Sequence, residues 1–148
     1  RVSCQLLLKN WFWVLLGNLL GSVTYAYLYC IVATKMGTVD PETLPALQRT
    51  MMIAETKTLE YAKLGWDGMV TAFTSAILCN WMVTLGAVMA FTSTATIGKI
   101  AAMWLPIMTF FGLGYEHAIV NMFVIPAGIL LGVLLLPGWI GGYGTVFR

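Results

Sequence analysis

The chain has 148 residues, of which 59% are hydrophobic and only 9% charged, and its mean hydropathy is +0.85. Soluble domains carry about 25% charged residues, so there is too little polar material here to coat a water-facing globule, and a soluble enzyme is effectively excluded. Eight Lys/Arg against six Asp/Glu leave a net charge of +2, far too small for an electrostatic reader of nucleic-acid phosphates.

The composition is that of an integral membrane protein. The chain opens on Arg1 rather than Met and closes on a Gly- and aromatic-rich stretch, so both ends are expected to be cut from a longer protein. Cys4, Cys30 and Cys79 lie in or beside apolar runs with no CxxC or Cys/His cluster. Neither a disulfide framework nor a metal site is expected from them, and no cofactor is implied.

Charges divide the sequence into blocks. Between Lys9 and Lys35 lie 25 uncharged residues, and about 20 apolar residues span a bilayer core, so a first span is predicted over about 11–33. Trp11 and Trp13 near one end and Tyr25, Tyr27 and Tyr29 toward the other suit the interfaces. Gly17 and Gly21 form a GxxxG pair, which lets a neighbouring helix pack closely. The polar stretch that follows starts a helix at Asp40-Pro41-Glu42 and Pro45, with acids at its positive end. Leu47, Met51, Ala54, Thr58 and Tyr61 then recur at helical spacing, predicting a surface helix over about 44–64. Residues 68–98 carry no charge, and a second span is predicted over about 69–91, followed by a polar turn at Thr92-Ser-Thr-Ala-Thr96.

The third apolar block, about 100–136, contains an anomaly. Glu116 and His117 sit in its middle, preceded by Gly112 and Gly114. Two short apolar halves around a Gly-containing break predict a discontinuous membrane helix near residues 112–117. Irregular backbone at membrane depth is tolerated only where it is buried in protein or lines a cavity. Gly128 and Gly132 form a second GxxxG in the later half. Basic residues do not separate cleanly between the two sides, so orientation is not set by charge.

An ionisable residue at membrane depth costs roughly 2.5–3.5 kcal/mol on insertion scales, so it is expected to have a partner or a role. His117, the single histidine, is expected at the N-terminus of the second half-helix, whose unpaired N–H groups form a positive end that attracts small anions. Apolar surroundings and that positive end favour a neutral, donating imidazole. Asn121 is one turn later on the same face and adds an amide donor. Glu116 points about 100° away and is expected to hold the broken segment by hydrogen bonds. Phe110 and Phe111 are either packing residues or a gate. Asn80 is either interhelical glue or a pore donor.

The segments Asn80-Trp-Met-Val83, Gly98-Lys99 leading to Trp104-Leu-Pro106, and Gly114-Tyr-Glu-His117-x-x-x-Asn-Met-Phe-x-Ile-Pro126 resemble the formate/nitrite transporter family over essentially the whole chain. The resemblance implies an all-α, aquaporin-like protomer with six spans in an inverted repeat, assembled as a homopentamer with one pore per protomer. This chain would hold the third, fourth and broken fifth spans. It also implies residue roles. His117 matches the central pore histidine and Glu116 its acidic neighbour. Asn80 matches the fourth-span asparagine of the pore network. Phe110 and Val83 fall at the two constrictions. Lys63 is the nearest match to a vestibule lysine, one residue farther from Asn80 than the family pattern.

The expected activity is passage of formate or nitrite in a lipid bilayer, expected to be the bacterial inner membrane. An apolar ring opposes a bare ion, and a proton delivered through His117 neutralises the weak acid, or protonated His117 serves as a countercharge. Two other readings remain open. One is an ammonium- or aquaporin-like channel, although no Asn-Pro-Ala box occurs. The other is a non-transporting anchor or redox subunit, although bis-His haem ligation needs a second histidine.

Overall fold

The computed structural model describes residues 3–134, and among these every regular element is helical. The order is α1 (Cys4–Ala33), a single tight turn of helix (Pro41–Thr43), α2 (Pro45–Glu55), a widened turn (Thr56–Glu60), α3 (Tyr61–Lys63), α4 (Trp66–Thr92), α5 (Thr96–Gly112), α6 (Ala118–Ile129) and a second widened turn (Leu130–Leu134). Residues 135–136 of the third predicted apolar block lie outside the described residues. At about 1.5 Å per residue, α1 and α4, of 30 and 27 residues, reach about 40–45 Å, more than the roughly 30 Å of a bilayer core. Both are long and apolar enough to cross a membrane.

The helices fall into two units, one of residues up to Glu60 together with those from Ile119 onward, the other Tyr61–Ala118.

In the first unit, Ser3 caps α1 by accepting the Leu6 N–H at 3.3 Å. The helix ends at Thr34, whose hydroxyl donates to the Cys30 carbonyl at 2.7 Å and accepts the Gly37 N–H at 3.0 Å. Lys35, Met36 and Gly37 all take positive φ, at 48°, 61° and 82°, so the chain leaves the helix through three left-handed residues. Asp40 then accepts the Glu42 N–H at 2.9 Å, and Pro45 opens α2 at its first position, where no donor is lost. Leu47 of α2 packs with Ala26 and Cys30 of α1, Ala127 of α6 and Leu131. Phe123 lies against Tyr25 and Tyr29, with ring centroids 5.4 and 5.6 Å apart. A side chain at Gly128 would overlap the Ala54 methyl. Glycine there lets α2 and α6 touch backbone to backbone. At Gly17 and Gly21 an added Cβ meets nothing within 4 Å, so the first GxxxG finds no close neighbour among the described residues.

In the second unit, the three-residue link between α4 and α5 folds them back on each other. Their seam runs through Gly86, whose added Cβ would stand 3.4 Å from both the Ala102 carbonyl oxygen and the Pro106 ring. Pro106 is buried inside α5 and supplies no N–H to its own helix. The α3–α4 corner turns at Gly65, with φ 58°, and presses Gly68 so closely on the Tyr61 carbonyl that no larger residue fits.

Candidate functional site

The apolar run that begins at Ile100 is interrupted after α5, and the interruption has a specific cause. The Gly114 N–H bonds the Phe111 carbonyl at 3.1 Å, and the Tyr115 N–H bonds the Phe110 carbonyl at 3.1 Å. This is the paired-bond C-terminal cap that needs a left-handed residue, and Gly114 supplies it with φ 70°. Tyr115, Glu116 and His117 follow outside any helix, and α6 begins at Ala118. The discontinuity predicted near residues 112–117 is present.

Glu116 is buried, with 7% of its surface exposed. A carboxylate so placed needs donors. The Tyr61 hydroxyl donates to its Oε1 at 3.1 Å. Its own backbone N–H donates to Ser75 Oγ at 2.9 Å. The break is therefore anchored to α3 by a side chain and to α4 by its backbone. His117 is half-buried, and its ring stacks on Phe110 with centroids 5.4 Å apart and planes 14° from parallel. Phe110, 4% exposed, also stacks on Phe111 at 4.6 Å. Phe110 thus fixes the tilt of the imidazole, a packing role that accompanies any part it plays as a constriction.

The other candidate residues stand apart from this cluster. α4 turns Ser75, Cys79, Val83 and Gly86 toward its buried side. Asn80, about 100° round from Cys79, is exposed, and Val83 is half-buried. Lys63 is exposed at the end of α3, two residues from Tyr61. Asn121 is half-buried in the first turn of α6 and belongs to the other unit. Tyr61 and Ser75 were not singled out from the sequence. Ser75 carried a faint signal as a hydroxyl inside an apolar run near a buried carboxylate's expected depth. Tyr61 lies 55 residues from Glu116 and carried none. Among the described residues no three His, Cys, Asp or Glu side chains group as metal ligands would. The site sets an imidazole and a buried carboxyl group side by side in a non-helical segment just before a helix start.

The sequence profile of the family described as Formate/nitrite transporter matches residues 1–145. The chain belongs to that family. The formate/nitrite transporter family is one of transporters and channels rather than enzymes, and this chain is accordingly an all-α integral membrane protein. It is 41% identical over 139 residues to a probable formate transporter of Methanothermobacter thermautotrophicus, covering 89% of this chain and 49% of that protein. It is 31% identical over 134 residues to the formate channel BtFdhC of Bacillus thuringiensis, covering 90% and 47%. It is also 31% identical over 131 residues to the formate channel FocA of Escherichia coli K12, covering 88% and 42%. The chain spans about half the length of these relatives. No solved structure matches it.

Proposed function

We propose that this chain forms part of a membrane pathway for a small monovalent anion, formate or nitrite, with His117 at its centre. The observation that carries the reading is the capped break itself. A helix stopped by Gly114 within an apolar run leaves non-helical backbone that lipid would not tolerate, so it belongs against protein or in a solute pathway. The one histidine of the chain stands in that break, immediately before the start of α6. Its imidazole can pass a proton to a weak-acid anion or hold a proton as countercharge. Asn80, Val83, Asn121 and Lys63 are proposed as further pore, constriction and vestibule residues. The names of the relatives speak for formate. A homopentamer in a plasma membrane, with one pathway per protomer, is the proposed assembly.

Replacing His117 with Phe in the full-length protein tests this. In proteoliposomes, formate and nitrite flux and its pH dependence should both change. Flux and pH dependence identical to the parent would refute the role of His117.

A further inference from the structure

The carboxylate of Glu116 does not stand free in the break. It is reached by a phenol from a segment 55 residues away in sequence, and that segment also carries Lys63. We propose that Tyr61 is a positioning residue of the transport site: its hydrogen bond to Glu116 holds the 113–117 break in the shape that presents His117, and so ties the Lys63-bearing segment to the imidazole. The inference rests on the reading of His117 as the transport residue.

Three observations carry it. Glu116 is buried, so its charge distribution depends on the few donors that reach it. Its N–H is already committed to Ser75 Oγ, which fixes the backbone at 116 on α4 and leaves side-chain orientation to other contacts such as that from Tyr61. Finally, Tyr61 is itself placed by a corner with no slack. Its carbonyl abuts Gly68, and the Gly65 turn reverses the chain within a few residues. The corner thus fixes the Tyr61 backbone, and the Ser75 bond fixes that of Glu116, so the bond between their side chains restrains what rotation is left to each. His117, the adjacent residue, follows through the shared peptide.

The remaining ionisable side chains of this unit are Lys63 on α3, Asp67 in the first turn of α4, Lys99 on α5, Cys79 on α4 and Tyr115 in the break. Lys63, Asp67 and Lys99 are exposed, Cys79 is buried and Tyr115 is half-buried. Tyr61 is the member of the unit whose hydroxyl reaches the carboxylate beside His117. Loss of that donor concentrates negative charge next to the imidazole. That added negative charge favours a proton on the neighbouring imidazole, the sense of the midpoint shift tested below.

The test uses the full-length protein in proteoliposomes, with formate as the probe and flux followed from about pH 5 to about pH 8. Tyr61→Phe should lower flux about five- to tenfold and raise the pH of half-maximal flux by about half a unit. Combined with Glu116→Gln it should add less than its own separate effect, as partners in one bond do. If Tyr61→Phe does not insert, fluorotyrosine at position 61 keeps the shape and makes a stronger donor, and the midpoint should then fall. A midpoint unmoved by either change, as a merely structural contact would leave it, or effects that simply add in the double variant, as independent sites give, would overturn the proposal. His117→Phe, measured in parallel, separates the two readings. If it alters flux while Tyr61→Phe does not, the positioning role fails and the pathway stands. If it alters nothing, the pathway reading itself fails.

Discussion

Gly112 and Gly114 lie two residues apart at the end of α5, yet they should answer substitution with opposite signs. An added Cβ meets no atom within 4 Å at either position, so sterics with the rest of the molecule drop out and only the backbone decides. Gly114 has φ 70°, a conformation in which an L side chain costs about 1–2 kcal/mol. Gly112 closes α5 without a positive φ, and Ala there gains up to about 1 kcal/mol in helix propensity. Gly112→Ala and Gly114→Ala are thus expected to differ by roughly 1–3 kcal/mol, or roughly 5- to 150-fold in the unfolding constant. Denaturant unfolding of the full-length protein in detergent micelles measures the difference. Gly114→Ala should also weaken formate flux, because helix continued past residue 113 carries Glu116 away from Tyr61 and Ser75. Equal stabilities for the two variants would show that the helix does not depend on a left-handed residue to stop, and would refute the account of the break.

Other substitutions probe the remaining unit and its caps. Gly128→Ala places a methyl on Ala54 and should cost about 1–3 kcal/mol by overpacking; adding Ala54→Gly should restore most of it in the same unfolding assay, and no rescue would show that the two positions are not in contact. Met36→Gly relieves a left-handed non-glycine residue at φ 61° and should stabilise the protein by about 1 kcal/mol, whereas a destabilised variant would argue against that turn. Asp40→Ala removes the acceptor for the Glu42 N–H and should cost about 0.5–2 kcal/mol, with hydrogen exchange rising first at residues 41–43. Unchanged exchange there would mean that the cap does not hold the turn.

The break was legible because its two signals coincide in one short window. Glycine marks where helix can stop, and an adjacent ionisable pair marks where stopping has a use. The family was legible for the same reason, since its most specific motif is that window. The anchoring of the break was not. Sequence shows that a buried carboxylate needs donors, but not which ones, and Tyr61 and Ser75 stand 55 and 41 residues away. The two GxxxG pairs show the limit of spacing from another side. Small residues permit close approach but do not say by what. At Gly128 the approaching partner is Ala54 on α2, whereas no described atom comes near a Cβ at Gly17 or Gly21. Helix and apolar run need not share an end. Lys9 bounds the apolar run, but α1 begins at Cys4, where the Ser3 hydroxyl caps it by accepting the Leu6 N–H.

The stack of His117 on Phe110 has a consequence for direction of approach. Both nitrogens of an imidazole lie on its rim and make their bonds in the plane of the ring. With that plane held within 14° of the neighbouring phenyl, centroids 5.4 Å apart, any hydrogen-bond partner of the ring nitrogens lies in a plane nearly parallel to the benzene and meets the imidazole along its edge.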